Sequence, residues 1–188
     1  MPTLKSLDNE TAQGRTKELF QAVEKRTGRI PAMIRIMGNS PSMLDAYLHF
    51  NEVFGESKLV PKLRSLISAT VSEINGCDYT LSTAFAFGRR EGLSDEELTA
   101  ARSADNNDPK IAAALRFAAK TVNAHGSVAP ADVKELQVAG YSDQEIVEIV
   151  GIVALNILRN YMNLIAKTET DFPLVRTRRS TELIEAMK

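Results

Sequence analysis

The sequence predicts an all-α protein built as one multi-helix bundle. Apolar residues recur with helical spacing along almost the whole chain, and the apolar–polar alternation typical of strands is missing. Glycine, proline and serine fall where helices begin and end. The segment from Ile146 to Leu158 is apolar on nearly every side. Such a helix must be buried, either against the protein's own helices or against another subunit.

Proline and glycine mark the helix boundaries in the N-terminal half. A first helix over 9–27 ends at Gly28, and Pro31 opens a short second segment. Ser40 followed by Pro41 is an N-cap with proline at the first helical position, which predicts a helix up to Gly55. The next two helices run from Pro61 to the Asn75-Gly76 break and from Cys77 to Arg90.

Two boundaries in the C-terminal half share one pattern. Residues 92–97 and 140–145 each hold a glycine, an apolar residue, a serine N-cap and a glutamate three positions later, which together form a capping box. The likeness either records an internal repeat or arises from cap chemistry alone. Further helices are predicted over 109–124, 130–139, 143–167 and 180–187.

Composition and charge exclude several classes of function. The 188 residues suffice for one domain with its own core. The net charge of −1, with both signs interspersed, argues against nucleic acid or a membrane as partner. The longest apolar stretch is shorter than the ~20 residues that span a bilayer, and the N-terminus does not resemble a signal peptide. We expect a cytoplasmic protein with one domain over 1–175 and a tail over 176–188.

Cys77 is the only cysteine and the most informative residue for function. A position at a helix N-terminus stabilises a thiolate, whereas the carboxylate of Asp78 disfavours it. Glu73, four residues earlier, is a candidate base for this thiol if the helix continues through Gly76. Cys77 is then either a thiol that attacks peroxide and becomes a sulfenic acid, or an inert, buried, small hydrophobe.

Other polar residues are candidates for the same pocket. His49 either faces the pocket or is hydrogen-bonded as part of the structure. Arg159, Asn160 and Asn163 interrupt the long apolar helix, and the two asparagines share a face. The two asparagines either form a buried polar network or line the pocket near Cys77. Because the sequence shows neither a zinc-ligand pattern nor a nucleotide motif, we expect no metal and no cofactor.

Seven short segments carry a family resemblance over residues 7–175. They are Gly28-Arg29-Ile30-Pro31, Asn39-Ser40-Pro41, Asn75-Gly76-Cys77-Asp78-Tyr79, Gly92-Leu93-Ser94, Ala139-Gly140-Tyr141-Ser142-Asp143, Asn160-Tyr161-Met162-Asn163 and Thr170-Asp171-Phe172-Pro173. In this order they resemble the carboxymuconolactone decarboxylase / alkylhydroperoxidase D-like superfamily, specifically its peroxidase-related branch. The resemblance implies an all-helical homo-oligomer (dimer, trimer or hexamer) with peroxiredoxin-type antioxidant activity.

The redox motif that the resemblance implies is incomplete. Counted from Cys77, the family has glutamate at position 65, the peroxide-attacking cysteine at 80 and histidine at 84, whereas this sequence has Ser65, Thr80 and Ala84. Thr80 cannot form a disulfide, and Ser65 and Ala84 cannot relay protons near neutral pH.

We therefore expect weak or absent thiol peroxidase activity, carried by Cys77 alone if hydroperoxide is turned over at all. Two alternatives stay open. One is a non-catalytic helical oligomer that binds a small apolar ligand. The other is a cofactor-free lyase of the decarboxylase type.

Overall fold

The computed structural model describes residues 3–186, which form ten α-helices and no strand. The predicted all-α class is confirmed. The helices are α1 (Gly14–Thr27), α2 (Ala32–Met37), α3 (Pro41–Gly55), α4 (Pro61–Asn75), α5 (Asp78–Arg90), α6 (Asp95–Ala101), α7 (Pro109–Asn123), α8 (Pro130–Val138), α9 (Asp143–Ala166) and α10 (Arg178–Ala186).

Local cap chemistry sets several boundaries as predicted. The Ser94 and Ser142 side chains each accept the backbone N–H of a glutamate three residues on, and that glutamate accepts the serine N–H in return. The first helix begins at Gly14 rather than at residue 9. The carboxylate of Asp8 accepts the N–H groups of Glu10 and Thr11 and holds this stretch in a turn.

Two clusters of buried apolar side chains fill the interior. The larger cluster is built around α4, which packs against α5, α6, α7 and α9. The smaller cluster joins α1, α2 and α3 to Cys77, Tyr79 and Leu155. The boundary between the two clusters runs past α4, α5 and α9, and it is where the candidate site lies.

Helix α9 is buried on one side only within the single chain. Its outer face exposes a set of apolar residues, namely Val147, Val150, Ala154, Tyr161, Leu164 and Ile165. Among the described helices, α9 is long and apolar enough to cross a membrane, judged by length and composition alone. Its inner face packs against α4 and α7, as expected of a core helix. The burial on nearly every side that the sequence predicts for this helix is therefore not reached within residues 3–186.

Amide–hydroxyl pairs fix α4 against α9. Ser68 Oγ donates to Asn156 Oδ1 at 2.8 Å, and one turn further on Ser72 Oγ donates to Asn160 Oδ1 at 3.2 Å. The two amide groups donate in turn to backbone carbonyls of Ile152 and Val71. All four side chains are buried, so each pair satisfies polar groups that water does not reach.

The C-terminal segment folds back onto the turn between α4 and α5. The Asp78 carboxylate accepts the Thr177 N–H at 2.8 Å, the Thr177 hydroxyl at 2.9 Å and the Ser180 hydroxyl at 2.8 Å. Helix α10 begins at Arg178, two residues before the predicted start, and the predicted end at Met187 lies outside the described residues. Because α10 buries none of its described side chains, these polar contacts at its start hold it in place.

Candidate functional site

A cavity of about 280 Å³ lies between the two apolar clusters. Its wall includes Ser65 from α4, together with Thr80 and Ala84 from consecutive turns of α5. These are the three positions at which the implied redox motif is substituted. The structure thus brings the substituted positions together on one surface, although they span twenty residues of sequence.

Both hydroxyls at these positions have hydrogen-bond partners. Ser65 Oγ donates to Glu91 Oε2 at 2.7 Å, so a carboxylate from the end of α5 lies beside position 65. Thr80 Oγ1 lies 3.3 Å from Cys77 Sγ and 3.5 Å from Asn163 Nδ2. No histidine is among the described residues that line the cavity, so neither hydroxyl has an imidazole base to activate it.

Cys77 lies in the smaller apolar cluster rather than on the cavity wall. Its side chain is 1% exposed at the N-cap of α5. Burial raises the pKa of the Cys77 thiol, and the negative charge of Asp78 adds to the rise, against the hydrogen bonds from Thr80 that lower it. The favourable effect of the helix N-terminus does not prevail, so the sulfur is a protonated thiol at neutral pH.

Glu73 is engaged away from the cysteine. Gly76 adopts the left-handed conformation (φ 71°, ψ 31°) and ends α4, so Glu73 and Cys77 do not share one helical face. The Glu73 carboxylate instead accepts from Arg102 Nε at 2.7 Å and from the backbone N–H of Arg178 at 2.8 Å. No hydrogen bond joins Glu73 to Cys77 within residues 3–186, so the predicted acid–thiol pair does not form.

His49 lies at a different surface. It is exposed on α3 and lines an open depression of about 870 Å³ between α1 and α3, together with Asp45 and Glu52. The structure therefore does not place His49 beside Thr80. Across residues 3–186, no group of three or more His, Cys, Asp or Glu side chains is arranged to hold a metal ion.

The two asparagines of α9 make different contacts. Asn160 pairs with Ser72 and belongs to the polar contacts between helices. Asn163 lies behind the cavity wall, where its Nδ2 contacts Thr80 Oγ1 and donates to the Arg159 carbonyl at 2.9 Å. The Oδ1 atom of Asn163 is buried and has no hydrogen-bond partner among the described residues. Neither asparagine is among the described residues that line the cavity, so both fit the network interpretation, and Asn163 meets the cavity only through its contact with Thr80.

Three arginine side chains line the cavity, and the sequence analysis assigned none of them to it. Arg26, Arg64 and Arg159 are on the wall, with Glu91 as the one carboxylate among the described lining residues. Arg159 Nε donates to Tyr47 Oη at 3.1 Å and Nη2 to Asn51 Oδ1. The sequence does single out Arg64, because it is the only charged residue between Lys62 and Glu73 in an otherwise apolar and hydroxyl-bearing stretch.

Tyrosine and phenylalanine close the rest of the wall. Tyr79 Oη donates to Asp171 Oδ2 at 2.8 Å, and Asp171 Oδ2 also accepts the Ala32 N–H at 2.8 Å. Burial raises the pKa of Tyr79 far above its ordinary value, and the Asp171 carboxylate raises it further, so the phenol stays neutral. The rings of Phe87 and Phe172, which also line the cavity, lie 5.8 Å apart and give that side an apolar surface.

This fold and site define a class: an all-α bundle whose cavity sits where α4 and α5 meet the N-terminal helices. The sequence model of the Carboxymuconolactone decarboxylase family (CMD) matches residues 41–120, which hold α3, α4, α5 and all three substituted positions. This match and the shared fold described below support the carboxymuconolactone decarboxylase / alkylhydroperoxidase D (AhpD)-like superfamily, which the chain resembles. No curated protein matches the sequence.

Solved structures of low sequence identity share the fold. An uncharacterized peroxidase-related protein from Silicibacter sp. TM1040 is 22% identical over 89% of each chain, with a TM-score of 0.77. The AhpD-core, peroxidase-related protein from Ralstonia eutropha JMP134 is 19% identical over 90% of this chain and 92% of that one, with a TM-score of 0.80. A cysteine-to-alanine variant of the debrominase Bmp8, in complex with 2,3,4-tribromopyrrole, is 20% identical over 100% and 98%, with a TM-score of 0.75.

Proposed function

We propose that this chain is an AhpD-like protein whose thiol peroxidase activity is weak or absent and whose cavity binds a small ligand. The observation that carries the proposal is that Ser65, Thr80 and Ala84 line the same cavity. The substitutions therefore fall where the redox groups implied by the resemblance converge. A pocket of that kind keeps room for a ligand and lacks the thiol pair and proton relay that peroxide turnover needs.

The surroundings of Cys77 support the first half of the proposal. A thiol attacks peroxide as the thiolate, and both burial and Asp78 disfavour that form here. The candidate base for the thiol, Glu73, is engaged with Arg102. A hydroperoxide in the cavity would face Thr80, whose hydroxyl contacts the sulfur from the cavity side at 3.3 Å.

The direct test is a turnover assay with cumene hydroperoxide and dithiothreitol. We expect the wild-type protein to consume hydroperoxide no faster than the Cys77→Ser variant does. Turnover that exceeds the variant's by more than about tenfold would establish a one-cysteine mechanism and contradict the proposal.

A second test restores the missing groups. In Thr80→Cys the new sulfur replaces a hydroxyl that lies 3.3 Å from Cys77 Sγ, so oxidation should close a disulfide and remove both free thiols. The matched control is Thr83→Cys on the same wall. Thr83 is six residues after Cys77, which is about 9 Å along the helix axis from the cysteine. This control should keep two free thiols. Adding Ser65→Glu and Ala84→His to Thr80→Cys should then raise hydroperoxide turnover above that of wild type.

The apolar composition of the wall supports the second half of the proposal. Phe87, Phe172, Met33 and Ile34 line the cavity beside the polar positions. A debrominase with the same fold was solved with a halogenated pyrrole, which supports a ring-sized molecule as ligand. The volume of about 280 Å³ is just below the range of about 300–1,000 Å³ typical of drug-sized ligands, so the ligand is small.

We further propose that the chain acts as a cytoplasmic homo-oligomer. Between positions 147 and 165, every exposed residue of α9 is uncharged, namely Val147, Val150, Ala154, Tyr161, Leu164 and Ile165. An uncharged apolar face of this kind suits pairing with a second copy of itself. Light scattering after gel filtration should show an assembly in wild type, and the double variant Val150→Glu/Ile165→Glu should shift it to the monomer mass.

A further inference from the structure

We infer that the ligand of this cavity is a small carboxylic acid, held as its carboxylate between Arg64 and Arg159 with its apolar body against the aromatic wall. This inference rests on the proposed function of the cavity as a ligand site and names the chemical class that the site takes. The feature that points to it is the positive charge of the lining, which the one carboxylate of the cavity balances only in part.

The lining carries an excess of positive charge. Three arginines and one glutamate give a net charge of +2. The single carboxylate, on Glu91, already accepts a hydrogen bond from Ser65 at 2.7 Å. Asp171 lies behind Tyr79, outside the described lining, and its side chain is engaged with Tyr79 and the Ala32 backbone. A cationic cavity of this kind attracts an anion.

Arg64 and Arg159 keep donors that the described residues do not use. Only Nη1 of Arg64 is hydrogen-bonded, to the carbonyls of Phe54 and Gly55 and to the Ser57 hydroxyl. Arg159 uses Nε and Nη2 and keeps Nη1 without an acceptor. Within residues 3–186, neither guanidinium lies within 4.0 Å of a carboxylate, although both side chains are part-buried.

Arg102 shows how the same protein treats another part-buried arginine. Its guanidinium binds Glu73 Oε2 at 2.7 Å, and the exposed fractions of the two side chains are 17% and 7%. Charges withdrawn from water are stable when they are paired. The two cavity arginines have neutral acceptors only, and a carboxylate matches the planar donor fork that a guanidinium presents. A ligand carboxylate would therefore complete the pairing.

The apolar part of the wall defines the rest of the ligand. Met33, Ile34, Leu48, Phe87 and Phe172 line the cavity, and the volume of about 280 Å³ limits the occupant to a small ring or short chain. A molecule with one carboxylate and one compact apolar body fits both halves of the lining. A neutral molecule of the same shape fills the apolar half and leaves the arginines unpaired.

Isothermal titration calorimetry with benzoate and benzamide tests the inference, because the two probes share a ring and differ in charge. We expect benzoate to bind wild type at least tenfold more tightly than benzamide. Arg159→Gln and Arg64→Gln should each weaken benzoate by roughly tenfold to a hundredfold, as expected for hydrogen bonds to a charged group, and leave benzamide unchanged. The matched control is Arg116→Gln, an exposed arginine paired with Glu135, which should change neither probe.

Arg26→Gln keeps the test decisive should Arg159→Gln unfold through the loss of its bonds to Tyr47 and Asn51. Arg26 is exposed, and no hydrogen bond to it occurs among the described residues. Its replacement should weaken benzoate roughly twofold to fivefold, the range of an exposed charge pair.

The outcomes separate the inference from the proposed function. Equal binding of benzamide and benzoate, or benzoate binding that Arg64→Gln leaves intact, would overturn the inference and leave the cavity as a ligand site. If neither probe binds, both the inference and the ligand-binding half of the proposed function fail.

Discussion

The turn around Cys77 and the cavity at Thr80 are built on the same two helices, yet they differ in how their charged side chains are paired. The carboxylates that flank the cysteine, Glu73 and Asp78, are engaged by Arg102 and by the C-terminal segment. The guanidinium groups of Arg64 and Arg159 have no carboxylate partner within residues 3–186. The acids near the sulfur therefore serve the fold, and the charges left for a ligand are basic.

The largest effect should follow from removing Glu73. Glu73→Ala leaves the Arg102 guanidinium and the Arg178 N–H without their acceptor in a largely buried place. Breaking one side of such a pair lowers the free energy of unfolding by about 3 kcal/mol. Urea denaturation measures the change.

Glu135→Ala is the matched control, because it breaks an ion pair with Arg116 in which the exposed fractions are 45% and 48%. Exposed pairs contribute less than about 1 kcal/mol. Equal effects of the two substitutions would show that Glu73 is not structurally special.

A somewhat smaller effect is expected at Asp78. Asp78→Ala removes the acceptor for the Thr177 N–H and for the hydroxyls of Thr177 and Ser180. We expect a loss of about 2 kcal/mol, in the range of hydrogen bonds to a charged group, and release of α10. Hydrogen exchange over residues 177–186 should speed up in this variant and not in Asp95→Ala, which breaks an exposed pair with Arg89. Unchanged exchange would mean that other contacts hold the tail.

The pH dependence of stability tests the state of the cysteine. Because burial raises the pKa of Cys77 in the folded state, the unfolded chain loses this proton first as the pH rises. The stability that the protonated Cys77 thiol contributes is fully present below the unfolded pKa of about 8.5 and is lost as the pH rises above it. Wild type should therefore lose stability more steeply than Cys77→Ala between pH 8 and pH 10. Parallel curves would indicate an exposed, ionisable thiol.

The smallest effect is expected from the cavity arginine with the fewest bonds. Arg26→Gln should change the free energy of unfolding by less than about 0.5 kcal/mol, as for an exposed side chain outside any network. The free energy of unfolding should thus fall strongly on replacing Glu73 and hardly at all on replacing Arg26. For benzoate affinity we expect the reverse order. A loss above 1 kcal/mol for Arg26→Gln, measured in the same urea series, would assign this arginine to the fold.

Local chemistry could be predicted from the sequence, and long-range pairing could not. The capping boxes at Ser94 and Ser142 depend on residues three apart, and both are confirmed. The start of α10 was predicted late because its anchor, Asp78, lies 99 residues from Thr177.

The candidate site follows the same rule. The family resemblance singled out Ser65, Thr80 and Ala84, and the cavity contains all three. The partner of Glu73 was missed because Gly76 ends the helix that would have aimed the carboxylate at Cys77. Arg64 and Arg159 come from α4 and α9, and no periodicity in either helix shows that they meet at one wall.

The amide–hydroxyl pairs between α4 and α9 also determine which parts of the cavity can adapt. Sliding α9 by one turn would separate Ser68 from Asn156 and Ser72 from Asn160 together, and so strand four buried polar side chains. The wall that carries Arg64 and Arg159 is therefore a rigid frame. We therefore expect any adjustment to occupants of different size to fall to α1, α2 and α3, which contribute Met33 and Tyr47 among other residues to the lining.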